Sequence, residues 1–345
     1  MTARTGGRHR PGARIALGLG LGAVAAAAWA LEHRVVRRAA RDVALGEPDL
    51  VLPGDLVHHD VDVPDGGRLH AMERGVGPPV VLVHGLMLSS AVWVHQLHDL
   101  GEHHRVVTVD LSGHGQSVLG ARRFRTDEGP GPADALGRLS ADLWAVLERL
   151  EVEGALLVGH SLGGMTVLRL ALDTPPDALA RRVRGLGLVS TTAGPVTALS
   201  PALARLGGDL SSRVVLAAER RGVHGLPSQD LRWWVSRLGF GADASGAQVE
   251  FVERMHSTNS ARVFAELLPS LVAYDVSGRL GAVELPTLVV VGTHDRVIPP
   301  RQSLRLAGGL ANAELVELAR CGHQPMLERP HEFSRLLDEF SAKVR

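Results

Sequence analysis

Ser161 stands in Gly159-His160-Ser161-Leu162-Gly163-Gly164, directly after the apolar run Ala155–Gly159 and directly before a run with helical periodicity. A serine hydroxyl is a weak nucleophile at neutral pH. It attacks a carbonyl only when a base removes its proton and an acid orients that base. G-x-S-x-G between a strand and a helix makes a sharp, strained turn that lifts the hydroxyl above the sheet. Small residues at Gly159 and Gly163 relieve the crowding at such a turn, and His160 completes it as a supporting residue. The backbone N–H of Leu162, at the start of the helix, is one candidate donor to an oxyanion. A second is the N–H of Leu86 in His84-Gly85-Leu86, which closes the apolar strand Val80–Val83. His84 and Gly85 read as loop-shaping residues, with the His84 ring bonding loop backbone.

The base must be chosen from 17 histidines. His323 lies in Arg320-Cys321-Gly322-His323-Gln324-Pro325, just after the last strand pattern, so its loop leaves the sheet at the edge expected of Ser161. Asp295 follows the strand Thr287–Gly292 and is the candidate acid; Asp275 is held in reserve. The chain order Ser161, Asp295, His323 is one of the known orders for such a triad. His114 lies inside the glycine-rich turn Asp110–Ser117 and reads as loop packing. That turn lacks the G-K-[ST] ending of a phosphate loop, and Asp110 reads as its brace. No H-E-x-x-H or comparable spacing implies a metal, and no motif implies a cofactor.

The elements that must position these residues recur along the chain. Strand patterns fall at Leu56–Val63, Arg68–Glu73, Val80–Val83, Arg105–Asp110, Ala155–Gly159, Val183–Ser190, Thr287–Gly292 and Ala313–Leu318. Several are continuously apolar, as in parallel strands buried on both faces. Helical periodicity marks Ala133–Leu150, Leu162–Leu172 and Pro330–Val344. Alternation of this kind predicts an α/β fold with a doubly wound, mostly parallel sheet. The interval 195–285 carries helical patterns without a buried strand and is too long for a structureless loop, so it reads as an inserted helical cap. Residues 51–194 and 286–345 form the expected core, and residues 1–50 are an N-terminal segment and linker.

Within that segment, Ile15–Leu31 is uncharged and lies between Arg4, Arg8, Arg10, Arg14 and Arg34, Arg37, Arg38, Arg41. As a helix it spans roughly 25 Å, slightly less than a bilayer core. A membrane anchor is the leading reading. A cleaved signal peptide, with Ala28-Trp29-Ala30 as the site and a secreted product, and a soluble helix are the alternatives. Equal basic flanks leave the side of the membrane open.

Composition limits the rest. Thirty-seven basic and thirty-seven acidic residues balance, which removes any global attraction to nucleic acid. One cysteine, Cys321, excludes an internal disulfide and a cysteine-rich zinc site. With 45% apolar residues the chain can bury a sizeable core.

Taken together, His84-Gly85, Asp110–Ser117, Gly159–Gly164, Gly292–Asp295 and Gly322-His323, in this order, resemble the α/β-hydrolase superfamily over about residues 56–345. The resemblance implies an eight-stranded sheet, a helical cap after the sixth strand and a Ser161–His323–Asp295 triad with Leu86 and Leu162 as oxyanion donors. A serine at the elbow separates the chain from superfamily members that use aspartate there. The expected reaction is hydrolysis of a small-molecule carboxylic ester through an acyl-enzyme. The same constellation also serves acyltransferases, thioesterases, C–C hydrolases and perhydrolases, and a non-catalytic binding protein is a further alternative. Apolar residues of the cap (Leu226, Leu231, Trp233, Trp234, Leu238, Phe240, Phe251, Met255, Phe264) point to an apolar substrate if some line the pocket, although packing of the cap on the core explains most of them.

Overall fold

The computed structural model describes residues 50–64, 66–120, 134–195, 217 and 229–344. Residues 15–31 and Leu226 lie outside them, as does the stretch 196–228 of the interval read as a cap, apart from residue 217. Eight strands form one sheet: β1 (Val57–Asp62), β2 (Arg68–Arg74), β3 (Pro79–Val83), β4 (Arg105–Val109), β5 (Ala155–His160), β6 (Val183–Val189), β7 (Thr287–Gly292) and β8 (Ala313–Leu318). Their spatial order is β1-β2-β4-β3-β5-β6-β7-β8. β2 runs antiparallel to β1 and β4, and every other pairing is parallel. The helices are α1 (Val94–Leu100), α2 (Ala135–Arg149), α3 (Leu162–Asp173), α4 (Pro176–Arg182), α5 (Gln229–Leu238), α6 (Gly246–Thr258), α7 (Ala261–Ala273), α8 (Pro300–Gly309), α9 (Pro325–Glu328) and α10 (Pro330–Lys343).

The continuous apolar runs are explained by the two cores that sandwich the sheet. Successive strand residues point to opposite faces. Val81, Val83, Val107 and Leu157 join Leu136, Leu139 and Leu143 of α2 and Leu168 of α3 in one core. Val80, Leu82, Val106, Leu156 and Val158 join Trp93, Leu97 of α1 and Phe333 and Leu337 of α10 in the other. Each such fully buried side chain contributes about 1.5–3 kcal/mol of burial free energy. A polar residue at any of these strand positions would therefore face a core, whichever face it occupied.

Local signals set the helix starts. The Asp134 carboxylate accepts from the N–H of Gly137 at the start of α2 (2.9 Å). Ser245 and Gln248 form a reciprocal capping box on α6. Proline opens α8 and α10, where the missing N–H costs nothing.

The helices α5, α6 and α7 follow β6 and precede β7, as the interval after the sixth strand predicts. Trp233, Phe240, Val249, Val252 and Met255 are buried in the second core. Packing thus accounts for them, whereas Trp234 and Leu238 are exposed.

The sheet order places the site. The chain steps outward from β3 to β4 and then crosses back to β5. This topological switch opens a crevice beyond the carboxyl ends of β3 and β5. His84-Gly85-Leu86 leaves β3 there, and Ser161 leaves β5.

Candidate active site

Ser161 sits between β5 and α3 with φ 52° and ψ −114°. This is left-handed backbone for a residue bearing a Cβ, and such strain persists only where neighbours over-determine it. Three bonds do so. The Ser161 N–H donates to the Val189 carbonyl (2.9 Å), and its own carbonyl accepts from Thr191 Oγ1 (2.8 Å) and from the Met165 N–H (3.1 Å). A Cβ on Gly163 would lie 2.3 Å from the Val83 carbonyl oxygen, and one on Gly159 would lie 2.3 Å from the Gly163 oxygen. Only glycine lets α3 begin this close to the end of β3. That contact holds the start of α3 against the end of β3, from which the Leu86 loop leaves.

His323 and Asp295 meet as the chain order anticipates. His323 Nδ1 lies 2.8 Å from Asp295 Oδ2, and both side chains are buried. The other carboxylate oxygen accepts from the N–H groups of Val297 and Ile298, each at 2.9 Å. With its carboxylate anchored at both oxygens, Asp295 fixes the ring through Nδ1. The loop is joined to the elbow through His160, whose Nε2–H donates to the His323 carbonyl (2.7 Å). The two rings pack with centroids 4.7 Å apart. Asp275, the reserve acid, instead accepts from the N–H and hydroxyl of Ser277 in a local turn (3.0 and 2.6 Å).

The supporting residues fall into place around this centre. His84 Nδ1–H donates to the Gly85 carbonyl (2.7 Å), while Nε2 accepts from the Leu111 N–H (3.0 Å). Its ring therefore ties two loops together. A Cβ on Gly85 would lie 3.1 Å from the Ser161 Cβ, so the loop passes directly over the elbow. Asp110 accepts from the N–H groups of Ser90 (2.6 Å) and Gln116 (2.9 Å) and lies 3.1 Å from His70 Nδ1. Burial alone would raise its pKa, but these bonds and the His84 ring outweigh it and hold the group at about 2.

Three residues not singled out from the sequence also shape the site. Thr191 holds the elbow carbonyl. Asn259, at the end of α6, donates to the Met87 and Leu88 carbonyls (2.9 and 3.2 Å) and accepts from the Gly115 N–H (3.1 Å), fastening the inserted helices to the Leu86 loop. Glu328 is buried beneath His323. No sequence rule flags them, because their partners are backbone groups, which every residue carries.

His84, His114 and His160 are buried, and burial is the main cause that holds each below the ordinary histidine pKa, His114 at about 3. In the unfolded chain each would take up a proton near pH 6.5. The folded state then binds fewer protons than the unfolded state as pH falls below that value, so stability must fall with it. Each contributes up to about 1.4 kcal/mol per pH unit below 6.5 and nothing above about pH 7.5. Urea denaturation midpoints should therefore drop steadily from pH 7.5 to pH 5; a constant midpoint across that window would contradict the assignment of neutral buried rings.

The structure thus holds a serine at a strained strand-to-helix turn and an aspartate-paired histidine whose ring packs on His160, the residue before that serine. Residues 78–330 match the family model for the alpha/beta hydrolase fold, and the chain belongs to that family. It is 31% identical over 270 residues to a protein named putative carbamate hydrolase RutD from Variovorax paradoxus, covering 78% of this chain and 93% of that one. It is 28% identical over 301 residues to a 2-hydroxymuconate semialdehyde hydrolase from a Pseudomonas species, covering 81% and 92%. Among solved structures, a thermophilic esterase from Thermogutta terrifontis superimposes with a TM-score of 0.66 at 24% identity, covering 84% of this chain and 99% of that one.

Proposed function

We propose that this chain is a serine-dependent hydrolase of small carboxylic esters with an apolar acyl or alcohol part. The observation that carries this reading is the 2.8 Å pairing of His323 with Asp295, its ring packed on the residue that precedes Ser161. In the reaction, Ser161 Oγ attacks the ester carbonyl while His323 Nε2 takes the hydroxyl proton. Asp295 stabilises the imidazolium that forms. The N–H groups of Leu86 and Leu162 hold the oxyanion. The tetrahedral adduct collapses, the alcohol leaves with the proton from His323, and an acyl-enzyme remains. Water, deprotonated by the same nitrogen, attacks the acyl carbon and frees the acid and Ser161.

Residues 195–285 act as the cap that selects the substrate. The exposed Trp234 and Leu238 support an apolar preference. Similarity to a semialdehyde hydrolase supports a second reading, in which the bond cleaved is not an ester. Covalent labelling by a fluorophosphonate, mapped to Ser161 by peptide mass spectrometry, tests the mechanism, and a panel of esters, thioesters and diketones tests the bond class. A folded protein that resists the probe would favour a non-catalytic binding role.

Residues 15–31 serve in this reading as a membrane tether, supported by an uncharged run between two arginine clusters. Among the described residues no helix is long and apolar enough to cross a membrane. The full-length chain should stay with membranes during alkaline carbonate extraction, and its release into the supernatant would exclude the tether.

A further inference from the structure

The backbone that carries His323 is enclosed. A Cβ on Gly292, at the end of β7, would lie 2.2 Å from the Gly322 carbonyl oxygen. A Cβ on Gly322 would lie 2.4 Å from the Gly241 nitrogen. The His323 loop is thus pressed between β7 and the segment 239–243, which leaves α5. That segment supplies the acceptor for the His323 N–H, the Gly239 carbonyl at 2.7 Å.

Between the two backbones lies the Glu328 carboxylate. Oε1 accepts from the N–H groups of Gly322 (3.0 Å) and Gln324 (3.2 Å), the residues on either side of His323. Oε2 accepts from Gly322 (3.0 Å) and from Gly241 (2.7 Å) on the inserted segment. On the outside of the same contact, Asp243 pairs with Arg320 (2.5 Å) and Arg329 (3.3 Å).

We propose that Glu328 is a positioning residue that locks the His323 loop to segment 239–243, so that the base is aligned only while the inserted helices are seated. This rests on the reading of His323 as the base of a Ser161-dependent hydrolase. The chemistry requires both carboxylate oxygens. Three N–H donors converge on the group, and a glutamine offers one acceptor oxygen and turns an N–H₂ toward the remaining donors. The loop would then shift to relieve a donor facing a donor. Displacements on the order of 1 Å cost about 10²-fold in rate at a reacting centre.

The test uses the full chain and a p-nitrophenyl ester. Glu328→Gln should lower kcat by about 10- to 100-fold with KM changed less than about threefold. The low-field proton resonance of the His323–Asp295 hydrogen bond should shift or broaden in the same variant. As a control, Glu73→Gln removes a half-buried carboxylate paired with Arg105 (2.9 Å) in β2 and should leave kcat and that resonance unchanged. If Glu328→Gln does not fold, Asp243→Ala on the exposed side of the contact should still lower kcat roughly three- to tenfold and perturb the resonance. A folded Glu328→Gln, or failing that an Asp243→Ala, with normal kcat and an unmoved resonance overturns the assignment. Fluorophosphonate labelling of the unaltered protein at Ser161 is scored separately. Its absence would overturn the underlying hydrolase reading, and the Glu328 assignment with it.

Discussion

Replacing Ser161 with alanine should lower kcat for a short p-nitrophenyl ester by roughly 10⁴- to 10⁶-fold and abolish fluorophosphonate labelling, with the fold unchanged. The size follows from what is removed. Without Oγ there is no acyl-enzyme, and only direct attack by water remains, helped by the oxyanion donors. The fold should survive because the strain at φ 52° comes from the Cβ, which alanine retains, and because the three backbone bonds that hold the turn do not use the hydroxyl. Steady-state kinetics and far-ultraviolet circular dichroism read the two halves separately. Turnover within tenfold of the unaltered protein would sink the mechanism.

Asp295→Asn should cost about 10³- to 10⁴-fold in kcat, again with little loss of stability. The asparagine oxygen can continue to accept from Val297 and Ile298 N–H, so its N–H₂ must face His323. Two donors then oppose each other across 2.8 Å unless the ring changes tautomer. In that tautomer Nδ1 accepts and Nε2 carries the proton, so the nitrogen needed to deprotonate Ser161 is already occupied. Imidazole tautomers are distinguishable by ¹⁵N shifts of labelled histidine. A variant with normal kcat would show that Asp295 does not orient the base.

Much of the fold can be read before any coordinates, for a physical reason. A strand buried on both faces is apolar at nearly every position, so Val80–Val83, Ala155–Val158 and Leu288–Val291 appear as unbroken runs. The short helices α1, α4 and α9 do not stand out, because a single turn or two carries too few apolar repeats to set a period. In the site, Ser161, Asp295 and His323 are visible because strand-end motifs restrict which residues can occupy them. The assignment of Asp110 as a brace, and of His84 as a loop-binding ring, also follows from their positions at strand ends. Glu328, Thr191 and Asn259 are hidden, since each meets a backbone N–H or C=O. Every residue but proline carries both groups, so no composition or spacing betrays the pairing. The N-terminal segment carries no tertiary partner in its sequence pattern, only hydropathy and flanking charge.

Cys321 gives the protein a native reporter. It is the single thiol of the chain, fully shielded from solvent and two positions from His323, and burial pushes its pKa well above the ordinary thiol value. A disulfide-exchange reagent can reach it only when the surrounding backbone opens. With no competing thiol, the rate of modification under native conditions measures how often this one turn comes apart, so the rigidity of the His323 loop can be timed in solution without introducing a label.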